Sequence, residues 1–164
     1  MVREIRKNSW SKFCKEFNQT NQYRSANITI IDKNNNESEL TGNMPFLGIG
    51  LQKKGRLIDG VEFFAGRWDP EKLTQPALSI KEPDRIMLEK DPTGADNCLW
   101  VDAKDGSRAR IELQGEKNPE MYWTLVEKVA YSIFERRGYS TGNDMNDWLE
   151  AERLVKQTEA QLTE

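Results

Sequence analysis

The chain predicts an α+β fold: a small, curved antiparallel sheet with one N-terminal helix and a C-terminal helical hairpin. Three observations carry that prediction. Apolar residues recur at the 3.6-residue period only towards the two ends, over Trp10–Phe17 and Tyr122–Val155. Between Ser25 and Gln114 the period falls to two, and Gly, Asn, Asp and Pro interrupt it at hairpin intervals. Finally, Glu135 to Asp144 spells a helix end, a polar loop and a helix start in that order.

The first helix presents Trp10, Phe13, Cys14 and Phe17 on one face, with Asn8 or Ser9 able to cap it through a side-chain oxygen. The polar run Asn18–Gln22 is expected to end it. Ala26–Ile30 alternates as a strand and runs into the turn residues Lys33–Asn36. Phe46–Leu51 and Leu57–Phe64 flank Lys53-Lys54-Gly55 as a hairpin. Pro70, Pro76 and Pro83 mark loop or irregular edge strand, because proline cannot donate to a ladder. Arg85–Lys90 follows, with Ile86 and Leu88 on one side. Leu99–Ala103 and Ser107–Leu113 flank Asp105-Gly106, a pair that tolerates the positive φ of a tight turn. Ala109, Ile111 and Leu113 then face inward, and Arg108, Arg110 and Glu112 outward.

Asn118-Pro119 opens the hairpin, since proline at the first helical position loses no hydrogen bond. Tyr122, Leu125, Val126, Val129 and Ile133 make its buried stripe, widened by Trp123, Ala130 and Phe134. Arg136 and Arg137 complement the dipole of the last turn, and Gly138 supplies the left-handed stop. Asn143 or Asp144 caps the second helix, whose narrower stripe is Trp148, Ala151, Val155 and Leu162. Glu152 and Lys156 pair at i,i+4, and the chain beyond Lys156 is expected to fray. Trp123 and Trp148 should face each other, with a core-like cost of about 3–5 kcal/mol for Trp148→Ala. Residues 1–116 are read as a sheet domain and 117–164 as the hairpin.

A chain of 164 residues is long enough for a core of its own, and 37% apolar against 31% charged residues puts that core under a polar surface. Net charge is −3, which argues against a general polyanion binder. Residues 1–24 carry six Lys or Arg against two acids, and residues 142–164 the reverse excess, read here as solvated faces. Nothing resembles a signal peptide, and no apolar run approaches the about 20 residues that span a bilayer. Cys14 and Cys98 make no disulfide framework. The expectation is a cytoplasmic protein with reduced thiols and no membrane partner.

The chain has no histidine, which excludes Ser-His, Cys-His and His-metal chemistry. No carboxylate pair stands out, so no catalytic, cofactor or metal residue is assigned. Asp102 and Asp105 with Gly106 fit a hairpin turn better than a calcium loop. Gly42, Gly48 and Gly50 lack the lysine and hydroxyl residue of a phosphate loop, because Leu51-Gln52 follows, and they read as close packing. Lys104, Arg108, Arg110, Arg85 and Lys90 read as a solvated strand face, with Trp100 outward among them.

The motifs Glu135-Arg136-Arg137-Gly138 and Asp147-Trp148-Leu149-Glu150-Ala151-Glu152-Arg153 make residues 120–157 resemble a small bacterial family, domain of unknown function 2934. Residues 9–114 resemble domain of unknown function 5335 through four features. These are Trp10, Phe13 and Phe17; the run Met44-Pro45-Phe46-Leu47-Gly48-Ile49; the run Pro83-Asp84-Arg85-Ile86; and the strand after Asp105-Gly106. The histidine such sequences carry before the second proline motif is replaced here by Leu73-Thr74-Gln75-Pro76. Neither resemblance implies an activity. The functional expectation is a non-catalytic module that binds another protein through Arg136, Arg137, Tyr139, Asp147 and Glu150. The alternatives are a carboxylate-based enzyme or small-molecule binder in a sheet cleft, and a nucleic-acid accessory protein.

Overall fold

The computed structural model describes residues 1–67, 69–139 and 141–163, without the side chains of Thr41 and Thr163. Among the described residues, eight strands and four α-helices follow one another along the chain: β1 (Val2–Ile5), α1 (Trp10–Asn21), β2 (Ser25–Ile31), β3 (Glu37–Lys54), β4 (Leu57–Ala65), α2 (Pro70–Leu73), β5 (Leu78–Lys81), β6 (Pro83–Lys90), β7 (Asp96–Ala103), β8 (Arg108–Gln114), α3 (Glu120–Arg136) and α4 (Asp144–Thr163). The strands form one sheet in the order β1-β6-β7-β8-β2-β3-β4-β5, and every described pair is antiparallel. The fold is α+β, as the periodicities predict.

Register shifts at Ala26–Ile28, Ile28–Thr29 and Phe46–Gly48 bend the sheet, because a bulge increases local twist. The bent sheet brings Ile86 and Leu88 of β6, near one end, into the same core as Phe46, Val61 and Phe63 and as Ile80 of β5 at the other end. Trp10, Cys14 and Phe17 of α1 fill that concave side, and the Trp10 indole N–H donates to the Ile5 carbonyl at 3.0 Å. Burying each of these large side chains stabilises the fold by about 1.5–3 kcal/mol. The Asp105-Gly106 turn forms as expected, with Gly106 at φ +93°, and Ala109, Ile111 and Leu113 are buried.

Neighbouring residues on a strand point to opposite faces. Leu47 and Phe64 therefore leave the first core and enter a second one, shared with Tyr23 and Leu73. Leu125, Val126 and Val129 of α3 and Ala151, Val155 and Leu162 of α4 complete it. The helical pair thus packs on the sheet. Its approach is close: a Cβ on Gly48 would lie 2.9 Å from Leu162 Cδ1 and 3.0 Å from Asn18 Cγ. Gly48 and Gly50 of β3 make room for α4, in line with the packing role read from the sequence.

One local expectation is met and one needs correction. The first helix ends within the polar run Asn18–Gln22, as expected, although Asn18 itself is helical. The helix runs to Asn21, and Asn18 is fully buried, donating to the Ile49 and Leu162 carbonyls (both 3.0 Å) and accepting from the Ile49 N–H (2.8 Å). Helix α4 does not fray after Lys156, since Thr158 and Leu162 are buried and the Asn18 amide donates to the Leu162 carbonyl, one of its last. Beyond the predicted elements, Val2–Ile5 pairs with β6 as an edge strand, and β3 extends back to Glu37.

Candidate functional site

Asn118 Oδ1 accepts the Glu120 N–H at 3.0 Å and so caps α3, as expected. Gly138 adopts φ +74° at its far end, and Tyr139 also takes a positive φ of +61°. Of the predicted recognition loop, Ser140 lies outside the described residues. The Asp147 N–H donates to the Asn143 carbonyl at 2.9 Å in the first turn of α4.

The five residues singled out in the sequence do not form one cluster. Arg137, at the end of α3, pairs with Asp147, whose side chain is only 8% exposed, so the two clasp the ends of the helical pair. Arg136 turns the other way. It pairs with Asp69 and reaches Glu71 at 3.2 Å, while Asp69 also caps α2 by accepting the Glu71 N–H at 2.9 Å. Glu150 is exposed and receives Arg153 Nε at 3.0 Å, and this hydrogen bond holds its carboxyl below the usual range. Tyr139 is exposed and meets Phe134 edge-on, with ring centroids 5.3 Å apart. Arg137 and Asp147 are therefore tied into the fold, whereas Arg136, Tyr139 and Glu150 are exposed, Arg136 held by its acidic partners on and beside α2.

Sequence reasoning missed an apolar surface beside them. Trp123 stacks on Trp148 with centroids 6.0 Å apart and planes 13° from parallel, so the expected pair meets. Trp123 is nevertheless 51% exposed and Trp148 only partly buried, which removes the core-like cost assigned to Trp148. Tyr122 continues the ladder inward, edge-on to Trp123 at 4.8 Å and to buried Tyr23 at 5.8 Å. Burial, with the Glu152 carboxylate beside it, pushes the Tyr122 hydroxyl up to about 12. Met145 and Leu149 stand one helical turn apart on the α4 face next to Trp148, both more than half exposed. The signal was present as two apolar residues at i,i+4 outside the buried stripe.

The other candidates resolve into structure. Asp105 accepts from the Ser107 N–H (2.8 Å) and hydroxyl (2.6 Å), closing a turn, while Asp102 receives Arg85 (3.0 Å) and Arg108. Trp100 lies beneath the Arg108 and Arg110 guanidinium groups, at 5.1 and 5.6 Å, and Arg110 also pairs with Glu37 and Glu112. The basic face is thus neutralised by carboxylates. Among the described residues there is no group of three His, Cys, Asp or Glu placed to hold a metal ion, and no helix long and apolar enough to cross a membrane.

A family described as "Protein of unknown function (DUF2934)" matches residues 123–157, the stretch that runs from Trp123 through the clasp and the Trp148 face to Gln157. A comparison with curated proteins finds no match.

Proposed function

We propose that the chain is a non-catalytic module that binds another protein through its C-terminal helical pair. One observation carries this reading: Trp123, Met145 and Leu149 expose large apolar side chains around the Trp123–Trp148 stack, on the segment that the family match covers. Exposed tryptophans anchored by a second ring supply rigid contact area, and such residues dominate interface energetics. Tyr139 and the Glu150–Arg153 pair form a polar rim in this proposal, where charges set encounter rate and salt dependence more than affinity. Arg136, Arg137 and Asp147 act by shaping the loop and fixing the pair of helices. Residues 1–116 serve as a sheet domain that carries the hairpin 117–164, and the protein works in the cytoplasm.

The test compares affinity capture from the native host by the parent chain and by Trp123→Ser/Leu149→Ser, with melting matched first. Losing a tryptophan anchor worth about 2 kcal/mol should reduce partner recovery about 30-fold. Undiminished recovery by an intact variant rejects the apolar surface as the site. Replacing Arg136, Arg137 and Glu150 together by Ala asks the same of the charged residues, where the reading expects altered salt dependence and some loss of stability.

A further inference from the structure

Arg24 is a charged side chain buried to 8% exposure that forms no ion pair with any described carboxylate. Its Nε donates to the Gly115 carbonyl at 2.6 Å, and its Nη1 to the Asp96 carbonyl (2.6 Å) and to Asn21 Oδ1 (2.9 Å). Asn21 in turn donates to Asp96 Oδ2 at 2.8 Å, which engages that carboxylate with an amide rather than with the guanidinium. Nη2 makes no hydrogen bond to the described residues. A buried charge without a direct ion pair is costly, and the hydrogen bonds to neutral oxygens, with the Asp91 carboxylate felt only beyond ion-pair distance, offset part of that cost.

The same side chain lines an open pocket of about 380 Å³ between α1, β6 and the ends of β7 and β8, near the lower bound for small-molecule sites. Phe13, Phe17 and Leu88 give it an apolar wall. Its cations are Arg3, Arg24, Lys90 and Lys117, and its acids are Glu16, Asp96 and Glu116, so one positive charge is in excess. Lys117 uses one N–H on the Gln19 carbonyl at 2.9 Å, and Lys90 lies 3.9 Å from Asp96, which leaves both ammonium groups with further donors.

We propose that this pocket binds a small monocarboxylate, its oxygens on Arg24 Nη2 and the neighbouring ammonium groups and its hydrocarbon body against Phe13, Phe17 and Leu88. A single anionic charge balances the lining. Nε and Nη1 are already committed, so one guanidinium donor receives the ligand and the lysines supply the rest. The site is distinct from the exposed face of the helical pair, and neither proposal depends on the other.

The experiment titrates the full chain with sodium benzoate and with sodium hexanoate while following backbone amide resonances. Benzyl alcohol and sodium chloride serve as uncharged and ionic controls. The expected result is saturable shifts confined to residues 94–96, 115–117 and the facing turn of α1 for at least one carboxylate, and none for the controls. Arg24→Gln should weaken binding about tenfold or more, the loss of one charge-assisted hydrogen bond. Thr20→Trp, at an exposed position on the pocket wall, should abolish binding with Arg24 in place, so the test survives if Arg24→Gln fails to fold. Absence of saturable shifts with both carboxylates, equal shifts with benzyl alcohol, or binding undiminished in Thr20→Trp would each overturn the proposal.

Discussion

Asn18→Ala removes one side-chain amide and should loosen two elements far apart in sequence. Asn18 Nδ2 donates to Ile49 in β3 and to Leu162 near the end of α4, and its Oδ1 receives the Ile49 N–H. The site is fully buried, so water does not replace these bonds in the variant. The orphaned Ile49 N–H costs about 1–3 kcal/mol, and the two carbonyls, each with a second lone pair, add less, for a total of about 2–4 kcal/mol. For a chain of this length that is a drop of about 4–16 °C in melting temperature. Urea unfolding followed by tryptophan fluorescence gives the energy. Native-state hydrogen exchange gives the location, with Ile49 and the last two turns of α4 losing protection while β7 and β8 keep theirs. Asn18→Asp retains the acceptor for Ile49 and sets a carboxylate against two carbonyls, so it should be at least as damaging as the alanine. A loss under about 1 kcal/mol, or α4 protection unchanged, would refute the claim that this amide fastens the helix to the sheet.

Trp148→Ala should cost about 1–3 kcal/mol by denaturant titration, below the about 3–5 kcal/mol of a core aromatic, because the Trp123–Trp148 stack is half exposed. A core-sized loss would mean that the surface is buried in solution. Asp147→Asn breaks the clasp with Arg137, and with the arginine 28% exposed the loss should be about 1–3 kcal/mol, seen together with faster amide exchange across Gly138–Asn143. Burial pushes the Cys14 thiol up to about 12, and burial with the Glu112 and Glu89 charges does the same for Cys98, so neither should react with an alkylating reagent in the native state. An acid whose folded pKa is raised binds more protons when folded. The stability it contributes is thus present below the ordinary thiol value of 9.0 and is lost as pH rises towards about 12. The denaturation midpoint should fall through that window less steeply in Cys14→Ala than in the parent, and parallel profiles would contradict it.

What the sequence disclosed, and what it withheld, follows from burial. Helix α3 was legible because Leu125, Val126 and Val129 are buried on one side while Thr124, Glu127 and Lys128 are exposed on the other. Strands β7 and β8 were legible because one face is core and the other carries Trp100, Arg108 and Arg110. The first part of β3 is exposed at Glu37, Ser38, Glu39 and Leu40 alike, so no alternation marks it, and edge strand β1 buries only Ile5. Asn18 and Asn21 read as a polar stop because a satisfied buried amide has the same letter as a solvated one. The site suffered from distance. Arg136 reads locally as a last-turn charge complementing the helix dipole, and its partners Asp69 and Glu71 lie 67 and 65 positions away, beyond any local pattern.

The central claim is that the exposed face of the helical pair meets another protein. Photocrosslinking in the native host tests it directly, with a benzophenone side chain placed at Leu149 in one strain and at Leu57, an exposed apolar residue at the start of β4, in another. The account predicts a discrete adduct from position 149, lost when Trp123 is also replaced by Ser, and none from position 57. No adduct from position 149, or equal adducts from both, would contradict it.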